Sequence, residues 1–120
     1  MSEVRVLLVE PDGDLRRATA RALRDHFEIT QAHDAVRALE LIREAEFDVV
    51  IAHVETPRLE GLALIDRLRV ERHRLAQHCV VLSGDVDAIG RGARERSIEL
   101  LAAPARISDL VIAIRRAADR

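Results

Sequence analysis

Three of the four short stretches that follow apolar runs in this chain carry side chains able to move a proton, ligate a cation or contact an anion. Glu10-Pro11-Asp12 comes after Val6–Val9, His53 after Val49–Ala52, Ser83-Gly84 after Val80–Leu82, and Ala103-Pro104 after Leu100–Ala102. An imidazole at position 53 changes charge near neutral pH, and it offers no carboxylate from which an acyl phosphate could form. It is read here either as a titrating or protein-contacting group or, more simply, as a polar filler at the end of a run. Glu10 and Asp12 offer hard oxygen ligands to a cation, although acids at the start of a helix more commonly favour its N-terminal dipole. Ser83 with Gly84 and Asp85 can cradle an anion or cap a helix. Cys79, the single cysteine, heads an apolar run and reads as a small core residue. His26, His33, His73 and His78 have no metal-ligand spacing to one another and read as solvated surface.

Such groups meet only if the chain folds to bring them to one edge. The runs Val6–Val9, Val49–Ala52 and Val80–Leu82 are continuous and rich in valine and isoleucine, as in strands buried on both faces of a parallel sheet. Glu28–Ala32 and Leu100–Ala102 are two weaker strand candidates. Between them the spacing predicts helices: Leu15, Ala18, Ala22 and Leu23 line the first, Ala35, Ala38, Leu39 and Ile42 the second, Leu62, Ile65 and Leu68 the third. A fourth runs from Val86 to Arg96, and a fifth uses Leu110, Val111, Ile114 and Ala117. Asp34 is expected to cap the second helix and Ser108 or Asp109 the fifth, with Pro57 and Gly61 punctuating the loop after the third strand. Strand then helix, five times over, implies right-handed crossovers, a parallel sheet covered on both faces, and a crevice at the carboxyl ends of the strands.

The segments Val6-Leu7-Leu8-Val9-Glu10-Pro11-Asp12, Phe47-Asp48-Val49-Val50-Ile51-Ala52-His53 with Pro57 and Gly61, and Val80-Val81-Leu82-Ser83-Gly84 resemble, in order and spacing, the receiver domain of two-component response regulators. The resemblance runs from Val4 to the last helix and implies a flavodoxin-like, doubly wound five-stranded parallel sheet of (βα)5 type. It also sets out what the pocket would need. The family's two adjacent acids are matched by Glu10 and Pro11, so one magnesium ligand becomes a residue with no side-chain donor; Asp12 follows them. The phosphoaccepting aspartate is matched by His53, the phosphate-binding hydroxyl by Ser83, the lysine by Ala103 ahead of Pro104 (a cis bond in the family), and the switch aromatic by Leu100. All 19 basic residues are arginine, so no other lysine stands in. The implied subtype is a degenerate or pseudo-receiver: no catalytic residue, no cofactor, and magnesium bound weakly or not at all. The Asp-x-His-x-x-Gly loop of cobalamin domains and the hydroxyl-rich phosphate loop of flavodoxins are both missing after the first strand, and there is no glycine-rich nucleotide loop.

At 120 residues and 48% hydrophobic the chain is expected to form one domain over residues 1–120. No apolar run is long enough to span a bilayer and no secretory signal opens the sequence, so a cytoplasmic protein is expected, and the resemblance implies a bacterial signalling pathway. The net charge of −2 makes no global argument for nucleic acid, and a DNA-reading helix would belong to another domain. Charge is uneven: residues 1–60 hold 8 arginines against 13 acids, residues 91–120 hold 7 against 4. By the resemblance, Arg91, Arg94, Arg106, Arg115 and Arg116 decorate the face of fourth helix, fifth strand and fifth helix, through which a protein partner or a second copy would dock. The expected function is a phosphorylation-independent interaction module, not an enzyme. The alternative is a receiver that still responds to a ligand or accepts phosphate, on a histidine or on Glu55, and governs a transcriptional output domain.

Overall fold

Valine and isoleucine, stiff at χ1, fill a pleated surface well, and the strands form where those residues are densest. The computed structural model describes residues 3–54, 60–71 and 73–120. Its strands are β1 (Arg5–Val9), β2 (Glu28–Ala32), β3 (Val49–His53), β4 (Cys79–Ser83) and β5 (Glu99–Ala102). Its helices are α1 (Gly13–Leu23), α2 (Ala35–Glu44), α3 (Glu60–Val70), α4 (Val86–Glu95) and α5 (Ile107–Ala118), with a short 3-10 turn at Arg74–Gln77. All pairings are parallel and the strand order is β2-β1-β3-β4-β5. The doubly wound architecture expected from the sequence is therefore present, each strand differing from its apolar run by at most one residue at an end.

Alternate residues along each strand feed two cores. Val6 and Leu8, Val49 and Ile51, and Val80 and Leu82 pack with Ala20, Leu23 and Phe27 and with Leu110, Ala113, Ile114 and Ala117, so α1 and α5 cover this face. Leu7 and Val9, Val50 and Ala52, and Cys79 and Val81 pack on the other face beneath Ala38 and Ile42, Leu64, Ile65 and Leu68, and Ile89 and Ala93 from α2, α3 and α4. Each fully buried leucine or isoleucine contributes about 1.5–3 kcal/mol, so the sheet is a rigid platform for whatever stands at its ends. Gly61 is required by close packing, because a Cβ there would come within 2.3 Å of Val54 Cγ2.

Several local expectations are corrected. The buried stripe of α1 is Ala20 and Leu23, whereas Leu15 and Ala18 are exposed. Asp34 does cap α2, accepting from the Arg37 amide at 2.8 Å, but α5 starts after Arg106 without a side-chain cap, and Ser108 and Asp109 lie inside its first turn. Gly61 belongs to α3 rather than to the loop, and Pro57 and Glu55 fall outside the described residues. His73 and His78 are not free surface groups: the first accepts from the Leu75 amide at 3.1 Å and the second bonds the Ala117 carbonyl at 2.7 Å, both half-buried, while His26 and His33 are exposed.

Candidate functional site

β1 and β3 are neighbours in register, Val9 opposite Ala52, so the next residues, Glu10 and His53, leave the sheet side by side. Glu10 Oε1 lies 2.5 Å from His53 Nδ1, with the two side chains only 4% and 11% exposed. A carboxylate accepts, so the imidazole presents Nδ1–H to it. The second oxygen, Oε2, accepts from the Asp12 amide at 3.0 Å, and the Glu10 carbonyl accepts from Arg16 Nη1 at 3.0 Å. Arg16 also reaches Gln31 Oε1 at 3.3 Å, tying α1 to β2 beside the site. Both carboxylate oxygens of Glu10 are thus engaged, one by a side chain 43 residues away.

The other residues singled out from the sequence sit around this pair. Asp12 is the N-cap of α1, its carboxylate accepting from the Leu15 amide at 3.1 Å, and Pro11 between the two acids is exposed. Ser83 ends β4 almost fully buried, and its Oγ accepts from the Asp85 amide at 3.0 Å. Asp85, not Ser83, caps α4, accepting from the Ala88 amide at 3.1 Å. The Ala103 amide donates to the Ser83 carbonyl at 2.8 Å, and the Ala103–Pro104 bond is cis. Leu100 lies within β5 opposite Val81, half-buried against the α4 side of the core. Among the described residues, no three His, Cys, Asp or Glu side chains are grouped to hold a metal ion.

Glu10, His53, Ser83 and Ala103 share one cavity of about 510 Å³ between the strand ends, α1 and α5. Its walls include Leu8, Leu15, Leu82, Ile107 and Leu110. None of these apolar residues was picked out for the site by type or spacing, since each looks like ordinary core until α1 and α5 are placed on the same face.

The arginines are more scattered than expected. Arg91 pairs with Glu95 at 3.0 Å within α4, and Arg116 reaches from α5 to Glu99 of β5 at 3.1 Å. Arg94 and Arg106 are exposed with no ion pair among the described residues. Arg115 is turned the other way, its guanidinium 5.2 Å from the ring centre of Phe27 beside α1, and so does not belong to the α4–β5–α5 face. Arg96, not singled out from the sequence, forks onto Asp66 with two bonds of 2.7 Å and joins α4 to α3.

A five-stranded parallel sheet wrapped by five helices, with polar groups gathered at its carboxyl edge, defines a flavodoxin-like fold. The chain belongs to the response regulator receiver domain family, which it matches over residues 6–115. Among curated proteins it is 35% identical to the transcriptional regulatory protein CseB of Streptomyces avermitilis, over 72% of this chain and 36% of that protein. It is 37% identical to the response regulator MprA of Mycobacterium ulcerans over 55% of this chain and 29% of that protein. The chain thus spans about a third of the length of these relatives. Among solved structures, the receiver domain of Francisella response regulator 1452 superposes with a TM-score of 0.83 at 23% identity, covering 98% of both chains. The signal receiver domain of an HD domain-containing protein from Pseudomonas fluorescens does so with a TM-score of 0.82 at 25% identity, over 99% of this chain and 89% of that one. No helix among the described residues is long and apolar enough to cross a membrane.

Proposed function

We propose that this chain is a pseudo-receiver, a signalling domain that works by protein interaction without an aspartyl phosphate. The observation that carries the reading is the Glu10–His53 bond at 2.5 Å. A phosphoryl acceptor here would need a free carboxylate at the end of β3, a cation beside it and a positive side chain opposite. The end of β3 instead carries an imidazole, which takes up the remaining acid. Pro11 offers no ligand, Asp12 is spent on the cap of α1, and Ala103 carries no charge. Magnesium asks for several hard oxygens in a tight octahedron, so this donor set does not fit it. The output passes through the α4–β5–α5 face, where Arg94 and Arg106 are available to a carboxylate- or phosphate-bearing partner. That output domain is either fused or separate; the names of the relatives, one a transcriptional regulatory protein, suit control of transcription. A cytoplasmic setting follows from this role.

The test is an amide NMR titration of the chain with magnesium, then with magnesium and beryllofluoride. We expect no saturable shifts at Glu10, His53 or Ser83. Shifts there that extend into α4 and α5 would overturn the reading. His53→Asp alone is expected to stay unlabelled by acetyl phosphate, because Pro11 and Ala103 still withhold a ligand and a charge. Pro11→Asp, His53→Asp and Ala103→Lys combined is the variant in which labelling should return.

A further inference from the structure

The cavity at the strand ends is larger and more apolar than a phosphoryl group needs. Its 510 Å³ falls within the range of roughly 300–1,000 Å³ typical of sites for small organic molecules. Leu8, Leu82, Ile107 and Leu110 form hydrocarbon walls, and Ala103 and Ala105 also line the cavity, where longer side chains would take up its space. Leu15, at its edge, is 44% exposed, an apolar surface left in water. At the floor the polar groups are few and fixed. The imidazole of His53 is held by Glu10, and the buried Ser83 hydroxyl accepts from the Asp85 amide while its own proton finds no acceptor among the described residues.

From this geometry we infer a binding site for a small neutral molecule with a hydrocarbon body and a single hydroxyl or carbonyl oxygen. The oxygen accepts from Ser83, and the body fills the space between Leu15, Leu82, Ile107 and Leu110. Electrostatics select the neutral class. Among the described residues the walls include Glu10 and Asp85 and no lysine or arginine, so an anionic head would face two acids. A cation finds the Glu10 carboxylate already shared by His53 and the Asp12 amide. The inference rests on the pseudo-receiver reading, because it gives the vacated phosphoryl site another occupant. Ser83-Gly84-Asp85 leads into α4 and Ala103–Ile107 into α5, so an occupant touches both segments that set the partner-facing surface.

The probe is acetophenone, followed by amide NMR, with isopropylbenzene as the same heavy-atom skeleton lacking oxygen and with benzoate and benzylammonium as charged counterparts. Saturable shifts at Ser83, Gly84, Ala103 and Ala105 are expected, with isopropylbenzene about tenfold weaker, the worth of one buried hydrogen bond. Ser83→Ala should erase that difference, and Ala103→Met, at a half-buried position on the rim, should abolish binding by filling the space. Ala105→Met serves the same purpose if the first variant does not fold. No saturable shifts up to the solubility limit, binding indifferent to both filling variants, or tighter binding of either charged compound overturns the site. Beryllofluoride with magnesium on the same sample separates the two readings. Silence with both probes overturns only the cavity site, and a response to beryllofluoride alone overturns both.

Discussion

Replacing Glu10 with leucine removes the acceptor from His53 Nδ1–H, which sits 2.5 Å away on a side chain only 11% exposed. The stranded donor keeps its desolvation cost, about 1–3 kcal/mol, and the loss of the Asp12 amide bond adds about 1 kcal/mol, so Glu10→Leu should cost about 2–4 kcal/mol. His53→Leu leaves a carboxylate 4% exposed with only the Asp12 amide for a partner, and breaking a buried pair from that side costs about 3–5 kcal/mol. Removing both together strands neither group. Replacing a buried pair by hydrocarbon is often neutral or stabilising, so the double variant should lie within about 1 kcal/mol of the parent, apart from the amide bond. Urea unfolding followed by circular dichroism of the four proteins reads the cycle, with equal m-values as the check that only stability has changed. The expected coupling is about 3 kcal/mol or more; single effects that add to within about 0.5 kcal/mol would show that the two groups do not depend on each other, and the reasoning would fail.

Other outcomes follow from the remaining titratable groups. Burial pushes the Cys79 thiol up to about 12, and its Sγ donates to the Leu75 carbonyl at 3.0 Å. Labelling with a disulfide reagent at mildly alkaline pH should therefore be at least about a hundredfold slower in the native protein than in urea. The Arg96 guanidinium hydrogen-bonded to Asp66 holds that carboxyl below its usual 3.8. A depressed folded-state value means the pair stabilises above the unfolded value and loses its effect as pH falls through the folded one. Asp66 is 48% exposed, so solvent screening limits the contribution of the pair to about 1 kcal/mol or less. Arg96→Met should thus be destabilised at neutral pH, and its melting temperature should converge on the parent's below about pH 4.

The fold was legible because β-branched runs and their alternation with helical stripes answer to backbone sterics and burial, both local in sequence. Local signals were weaker where polar and apolar residues share a face. In α1 the stripe of Ala20 and Leu23 runs beside Arg16 and Thr19, and the conspicuous Leu15 points instead to the cavity edge. The start of α5 was placed late because Arg106 precedes it without a side-chain cap, leaving no N-terminal signature. At the site, residue types were visible but their partnership was not. Glu10 and His53 lie 43 residues apart, and only the order β2-β1-β3 makes them neighbours. His78 was read as solvated surface for the same reason, its acceptor being the carbonyl of Ala117 in the last helix.

The register Val9 opposite Ala52 has one more implication. The Glu10–His53 contact spans two hydrogen-bonded central strands, so its length is set by the pleat and twist of the sheet rather than by a loop. The contact therefore acts as a rivet between β1 and β3 at the carboxyl edge of the sheet. Under the proposed function, a message reaching α4 and α5 would go around this fixed point, through Ser83-Gly84-Asp85 and Ala103–Ile107, the segments that lead into those two helices.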